Sequence, residues 1–185
     1  MHNDEIQALI DERKICNVLA RYCIGADRRD PQMMVDCYWP EAIDDHGIVP
    51  NLTAHEFVKM AVTSDIMKSL LHTQHFLGQV ACDITGNRAK VESYVISYHR
   101  VVNEPAAVEL LFGETYKNKY EATECNSHDF IVGGRYLDVF EKRGDSWRIL
   151  SRVATGEWGI SGPASNIMSE GLFKAAHGPE AVFPD

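Results

Sequence analysis

Apolar positions recur with a helical period over the first part of the chain, up to about residue 70. In the first predicted helix the second half is apolar nearly all round, which is typical of a helix enclosed by other structure. Asp30 and Pro31 form a start signal for a second helix, and Thr53 with Glu56 has the spacing of a capping box for a third. The predicted helices span 4–26, Asp30 to about Trp39, and 54–70.

From His72 onward the period changes to two, which is typical of strands with one buried face. In the segment 88–102 the positions that face one way are small or apolar, and His99 is among them. His99 is therefore expected on the interior face of the sheet. The predicted strands are a short one within 41–50, which also contains a turn, and the longer 74–84, 88–102, 129–142 and 146–157.

Helices followed by an antiparallel meander predict an α+β fold, in which a curved, mostly antiparallel sheet packs against three N-terminal helices. With 185 residues, 45% of them hydrophobic, the chain is long enough for one domain with a substantial core. We assign residues 1–158 to this domain. Residues 103–128 interrupt the strands and are interpreted as a partly helical insertion or lid. Residues 159–185, punctuated by Gly, Pro and Ser, are interpreted as an extended tail.

Charge and composition restrict the classes of function. A net charge of −9 and an isoelectric point near 5.3 argue against nucleic acid or an anionic membrane as the main partner. The first residues lack the basic and apolar regions of a secretory signal, and no apolar run approaches the roughly 20 residues that cross a bilayer. The five cysteines form no C-x-x-C pair, so we interpret them as reduced thiols of a cytoplasmic protein.

Three polar residues stand where the pattern would normally place apolar ones. Asp27 continues the apolar stripe of the first helix, and His75 and His99 lie in predicted strands. Buried groups of this kind cost free energy unless they are paired, and a carboxylate with imidazoles is what a proton-transfer site requires. The pattern alone leaves other interpretations open. Asp27 is equally consistent with an exposed loop acid or a helix cap, and the histidines with ordinary core or half-buried residues.

Two other polar clusters are interpreted without a catalytic function. His72 and His75 have a ligand-like spacing, but on a strand they point to opposite faces. No third ligand stands at a supporting spacing, so no metal is expected. The sequence Asp44-Asp45-His46 is interpreted as a polar turn.

Four motifs carry a resemblance to a known family: R-Y-C-I-G-A-D-R-R-D, H-T-Q-H-F-L-G-Q, Y-V-I-S-Y-H-R and G-G-R-Y-L-D-V-F-E-K-R-G-D-S-W-R-I. Together with the order of elements over roughly 5–157, they resemble the SnoaL-like branch of the nuclear transport factor 2-like superfamily. The resemblance implies a cone-shaped α+β barrel. Enzymes of this branch include scytalone dehydratase, bile-acid 7α-dehydratase and hexachlorocyclohexane dehydrochlorinase, which remove a group β to a C–H bond. The chemistry implied for this chain requires no cofactor.

The resemblance also implies catalytic residues. Asp27 and His75 match the family's Asp–His dyad, in which the carboxylate orients the imidazole that removes a proton. Tyr22 and His99 match residues that donate a proton or a hydrogen bond to an oxygen. In a regular helix Tyr22 and Asp27 would point about 140° apart, so we expect both to line one cavity only if the helix ends near Gly25.

Substrate-binding residues follow from the same resemblance and from the aromatic positions. Arg152, five residues after Trp147, matches a family arginine on the last strand and is expected to hold an anionic group. Trp39 and Phe76 are expected at the mouth of the cone, in contact with the substrate.

The leading hypothesis is a cofactor-independent lyase or isomerase, acting by dehydratase-like β-elimination or proton transfer on a small, largely apolar cyclic substrate. The alternative is a non-catalytic small-molecule-binding or assembly module of the same fold, such as a protein like the β subunit of ring-hydroxylating dioxygenases. We also expect a homo-oligomer, a dimer or trimer, because the outer face of the sheet needs covering. Tyr94, Ile96 and Tyr98 are the candidate interface.

Overall fold

A six-stranded sheet forms the centre of the structure, a computed structural model that describes residues 2–47 and 52–164. The strands are β1 (Tyr38–Asp45), β2 (Leu52–Thr53), β3 (Leu70–Thr85), β4 (Arg88–Val102), β5 (Ser127–Arg143) and β6 (Ser146–Pro163). The helices are α1 (His2–Arg28), α2 (Pro31–Val35), α3 (Ala54–Thr63), α4 (Asp65–Ser69), α5 (Pro105–Phe112) and α6 (Glu114–Tyr120).

The strands follow the order β2-β1-β6-β5-β4-β3. Neighbouring strands are antiparallel, except that β1 runs parallel to β6. The sheet is curved and unclosed, and the N-terminal helices α1 and α3 pack against it. The predicted α+β class is therefore confirmed.

Strand β4 carries the alternation that the sequence predicts. Ala89, Val91 and Val95 are buried, and His99 lies on the same face. Tyr94, on the other face, is 49% exposed. Because β4 pairs with β3 on one side and with β5 on the other, its interior residues are held from both sides.

The first helix is longer than the sequence predicts. It continues through Gly25 to Arg28 and ends at Arg29, whose φ of +54° is the left-handed conformation common at helix ends. There the amide of Asp30 donates to the carbonyl of Gly25 at 2.8 Å. Gly25 does not break the helix. It allows α2 to pack closely, because a Cβ atom at this position would lie 2.9 Å from Cγ of Met34. The predicted helix end at Gly25 is therefore wrong.

The buried face of α1 also differs from the predicted apolar stripe. On this face Asp11 is buried, and its carboxylate accepts hydrogen bonds from Nζ of Lys142 at 2.9 Å and from Nε1 of Trp147 at 2.8 Å. A polar residue thus occupies part of the interior face, which hydrophobic periodicity cannot reveal. The apolar residues buried with it are Ile15, Leu19, Tyr22 and Cys23, whereas Ile6, Leu9, Ile10 and Ile24 are exposed.

The predicted helix starts are confirmed, but one predicted helix is divided in two. The side chain of Asp30 caps α2, and Thr53 and Glu56 form the capping box of α3. The segment predicted as one helix over 54–70 forms α3 and α4, because Ser64 between them is extended, with ψ of 158°. The Ser64 hydroxyl accepts a hydrogen bond from an amide of α4 and starts a new helix there.

The segment that interrupts the strands after β4 contains α5 and α6. Leu111 and Phe112 pack against a small buried cluster that includes Leu70 and Val101, so α5 contacts the sheet beside α4. The role of this segment as a lid stays a prediction. Residues 159–163, which the sequence analysis assigned to the tail, continue β6, and the remainder from 165 lies outside the described residues.

Two glycines that pair across β5 and β6 give a test of this packing. A Cβ atom at Gly134 would lie 1.8 Å from the carbonyl oxygen of Thr155, whereas at Gly156 its nearest neighbour would be Cγ1 of Val132 at 3.9 Å. We expect Gly134→Ala to lower the free energy of unfolding by about 3 kcal/mol or more, because backbone must move. Gly156→Ala is expected to change it by less than about 1 kcal/mol.

Urea denaturation of the two alanine variants and the wild type measures this difference. Equal losses of stability in the two variants would contradict the close approach of β5 and β6 at Gly134.

Candidate active site

A cavity of about 450 Å³ lies between the interior face of the sheet and the helices. Its residues come from the helices α1 to α5, from His46 after β1 and from the strands β3 to β6, and most of them are apolar. Among the described residues that line it there is no Lys, Arg, Asp or Glu. The polar groups that reach it are therefore few, and they include three histidines: His46, His75 and His99.

Asp27 and His75 are hydrogen-bonded to each other. Oδ1 of Asp27 lies 2.7 Å from Nδ1 of His75, and Oδ2 accepts the backbone amide of the same residue at 3.1 Å. Because a carboxylate only accepts, Nδ1 is the donor. The Asp27 carboxylate therefore holds both the imidazole of His75 and the backbone of β3 at this residue. In the neutral ring this leaves Nε2, on the cavity side, without a proton and able to accept one.

His99 lies beside His75, with ring centroids 5.7 Å apart. Its Nδ1 is 2.9 Å from Oγ1 of Thr73, its partner across β3 and β4. Burial, reinforced by the neighbouring His75, lowers the pKa of His99 to about 4. At neutral pH the ring therefore carries no charge, and it can contribute a hydrogen bond but not the proton of an imidazolium.

Tyr22 is buried and lines the cavity from α1. Burial raises the pKa of its hydroxyl well above the ordinary value, so the group stays protonated. Although α1 does not end at Gly25, the structure brings Tyr22 to the cavity wall and Asp27 to His75. Asp27 is not itself among the lining residues. It is hydrogen-bonded to His75, which is.

Arg152 does not reach the cavity. Its side chain is fully buried, and the guanidinium donates to both carboxylate oxygens of Asp138 at 2.8 and 2.7 Å. It lies between the rings of Tyr22 and Tyr136, 4.2 and 4.0 Å from their centroids. Burial alone would lower the pKa of Arg152, but the Asp138 carboxylate outweighs it and keeps the guanidinium charged. In place of the expected substrate-binding role, we assign Arg152 a structural one.

Trp39 and Phe76 also lie away from the cavity, contrary to expectation. Trp39 donates from Nε1 to the carbonyl of Glu141 at 3.0 Å, and its ring lies beneath the Arg143 guanidinium, 4.4 Å from the centroid. Phe76 follows His75 on β3, so the alternation of a strand directs it to the opposite face, where it is 53% exposed. There it borders a separate recess of about 250 Å³.

His46 is a histidine of the cavity wall that was not predicted from the sequence. The structure places Asp44 within β1, fully buried, with its Oδ1 in contact with Nδ1 of His46 and its Oδ2 accepting from the hydroxyl of Tyr38. The His46 ring stacks on Phe57, with centroids 4.1 Å apart. The interpretation of this segment as a polar turn is therefore wrong. The signal was present, since residues i and i+2 of a strand share a face.

Within residues 2–47 and 52–164, no three side chains of His, Cys, Asp or Glu lie together as ligands for a metal ion. None of the helices in that part of the chain is long and apolar enough to cross a membrane.

Comparison with protein families identifies the class. Residues 7–153 match the model of the SnoaL-like domain, and the chain belongs to this family. A search of curated proteins gave no significant match.

Solved structures share the fold at low sequence identity. The Kfla4162 protein of Kribbella flavida is 16% identical, with a TM-score of 0.65 over 83% of this chain and 95% of that one. A type 2 hexachlorocyclohexane dehydrochlorinase (LinA) is 11% identical, with a TM-score of 0.70 over 91% and 99%. A protein assigned as a scytalone dehydratase, from Novosphingobium aromaticivorans DSM 12444, is 16% identical, with a TM-score of 0.60 over 91% and 97%.

The lowered pKa of His99 predicts how stability depends on pH. The folded state disfavours the charged ring, so the contribution of His99 is complete above pH 6.5 and is lost as the pH falls toward 4. Between pH 7.5 and pH 5 we expect the wild type to lose about 2 kcal/mol more than His99→Asn. Urea denaturation at the two pH values measures this, with His55→Asn, at an exposed position of α3, as the control. An equal loss in the wild type and His99→Asn would contradict the burial of a neutral ring.

Proposed function

We propose that this protein is a cofactor-independent lyase or isomerase that removes a proton from carbon in a small, largely apolar cyclic substrate. The observation that carries the proposal is the 2.7 Å contact between Asp27 and His75 at the wall of an apolar cavity. This contact supplies a base of defined tautomer and orientation.

In the proposed reaction Nε2 of His75 takes the proton, and the Asp27 carboxylate stabilises the imidazolium that forms. In this proposal neutral His99 and protonated Tyr22 donate hydrogen bonds to an oxygen on which negative charge develops. Departure of a group β to the carbanion gives an elimination, and return of the proton to another carbon gives an isomerisation.

The cavity supports an uncharged substrate. Its described lining contains no Lys, Arg, Asp or Glu, and Arg152, the expected anion-binding group, is paired with Asp138 beneath the wall. A volume of about 450 Å³ is in the range of sites for small molecules. Such surroundings also exclude water, which strengthens the electrostatic effect of the few polar groups present.

The name of one structural relative supports this class of chemistry. A hexachlorocyclohexane dehydrochlorinase, by its name, removes hydrogen chloride from a ring, and it shares the fold of this chain. The rival function is a non-catalytic module that binds a small molecule or assembles with another protein. Such a module has no need of a carboxylate that orients a histidine, so the Asp27–His75 bond favours the enzyme.

We also propose that the protein forms a homo-oligomer through the outer face of the sheet. Phe76, Tyr94, Ile96 and Trp158 are exposed there, and apolar surface of this kind favours association. Sedimentation of the wild type is expected to show a dimer or trimer, and Ile96→Lys is expected to shift it toward the monomer. A monomeric wild type would contradict this proposal.

Substitutions in the dyad test the proposed function. On a panel of cyclic alcohols and β-substituted cyclic ketones, His75→Ala is expected to abolish turnover. Asp27→Asn is expected to lower kcat by about 100-fold to 10,000-fold, because the imidazolium loses its counter-charge. Both variants should keep the fold and the uptake of ligand, measured by circular dichroism and by thermal shift.

The matched control is His55→Ala, which removes a histidine from an exposed position of α3 and is expected to leave turnover unchanged. Full activity in His75→Ala and Asp27→Asn would exclude the dyad as the catalytic group. Uptake of cyclic ligands with no turnover by the wild type would favour the binding module instead.

A further inference from the structure

A second imidazole–carboxylate pair, His46 with Asp44, lines the same cavity. We propose that His46 is a second proton-transfer group of this site, which acts on an oxygen substituent of the substrate while His75 acts on carbon. The proposal rests on the proposed function, and it defines the substrate class further as cyclic compounds with a hydroxyl group β to the acidic C–H.

Three contacts hold the His46 ring in one orientation. Asp44 accepts a hydrogen bond from Nδ1 of the ring. Phe57 stacks on one face at 4.1 Å, with an angle of 11° between the planes. Tyr136 lies 6.1 Å away on the wall of the cavity. The position of the ring is therefore determined by packing as well as by hydrogen bonding.

The His46 ring lines the cavity and is not fully enclosed, and its Nδ1 is the nitrogen that Asp44 engages. The structure gives Nε2 of His46 no hydrogen bond to another described residue, and 22% of the side chain is exposed although Asp44 is fully buried. A histidine present only to satisfy Asp44 would not need this opening, since the carboxylate also accepts from the Tyr38 hydroxyl. The other nitrogen, Nε2, is the part of the pair that remains for a ligand.

The buried acids beside His46 have different partners. Asp44 and Asp138 are both buried, and the Arg152 guanidinium is bound to Asp138 through both oxygens. The charge of Arg152 therefore neutralises that of Asp138. The partners of Asp44 are instead the Tyr38 hydroxyl and the His46 ring. Of these, the His46 ring is the one that can take a positive charge.

The two pairs enter the cavity from separate parts of the sheet. His46 follows β1, and His75 lies on β3, with β6, β5 and β4 between them in the sheet order. Because the sheet is curved, strands this far apart approach one cavity from different sides. Two groups that approach one ring from different sides can act separately on the proton and on the leaving group of neighbouring carbons.

The resulting reaction is balanced without a co-reactant. The C–H bond breaks and its proton moves to Nε2 of His75, while the electron pair forms the new C=C bond. The C–O bond breaks with its pair on oxygen, which takes the proton from Nε2 of the His46 imidazolium and leaves as water. His46 is then neutral and His75 charged, and exchange of protons with solvent restores the starting state.

Two substitutions at the same position separate this role from a structural one. An Asn side chain at position 46 can keep a donor toward Asp44 but has no nitrogen at the cavity end. A Gln side chain can place an amide donor there but has no acidic proton to release. The substrates are 3-hydroxycyclohexanone and 3-chlorocyclohexanone, which give the same enone, while chloride departs without protonation.

We expect His46→Asn to lower kcat for the hydroxy substrate by about 100-fold or more and for the chloro substrate by less than about 3-fold. His46→Gln is expected to lie between the wild type and His46→Asn on the hydroxy substrate. His75→Ala should lose activity on both substrates. Equal losses on the two substrates in His46→Asn would overturn the role of His46 and leave the proposed function intact.

If the wild type turns over neither ketone, that result counts against the proposed function. A measurement of binding then tests whether His46 contacts the oxygen of a ligand. Nitrogen-15 spectra of the histidine rings, with His46 identified by its absence in His46→Asn, are recorded with cyclohexanone and with methylcyclohexane. A shift of Nε2 of His46 with the ketone alone supports contact with a ligand oxygen. No shift, or the same shift with the hydrocarbon, overturns it.

Discussion

The guanidinium of Arg152 is the constraint around which one wall of the cavity is arranged. A charge removed so completely from water must be paired, and Asp138 pairs it at two points from the neighbouring strand. The same guanidinium lies between the rings of Tyr22 on α1 and Tyr136 on β5. The guanidinium of Arg152 on β6 therefore contacts both α1 and β5. Displacement of any of them would leave a buried charge without its partners, so their relative positions are strongly determined.

The strands were predictable because each residue of β4 follows one rule, alternation between an interior and an outer face, over fifteen residues. The end of α1 was not predictable by the same means. Gly25 is a common helix-ending residue, but here its missing side chain serves the close approach of Met34. Asp11 on the buried face has its partners, Lys142 and Trp147, more than a hundred positions later in the chain. Contacts of this kind arise only when the chain is folded.

As with the fold, part of the candidate site was predictable from the sequence and part was not. Asp27 and His75 were proposed as a pair from the family motifs, and the structure places them in hydrogen-bond contact. Phe76 was misassigned although its place next to His75 on a strand already directed it to the other face. Arg152 was misassigned for a different reason. Its partner directly across the ladder, Asp138, becomes visible only when the register of β5 and β6 is known. His46 was overlooked because a charged triplet resembles a turn, and its burial depends on the surrounding helices.

Asp27 lies in the last turn of α1, so the carboxylate that orients His75 belongs to a helix end, which is one of the less stable parts of a helix. Three hydrogen bonds dock this helix end onto β3. The Asp27 carboxylate accepts two from His75, and the guanidinium of Arg29, the residue after α1, donates one to the carbonyl of Leu70 at 2.5 Å. Helix ends open locally at a free energy well below that of global unfolding. Release of this one turn would free the imidazole from its carboxylate while the sheet and the cavity stay formed. The temperature at which the base loses its orientation is therefore set by the docking of a helix end, and it can lie well below the temperature at which the fold is lost.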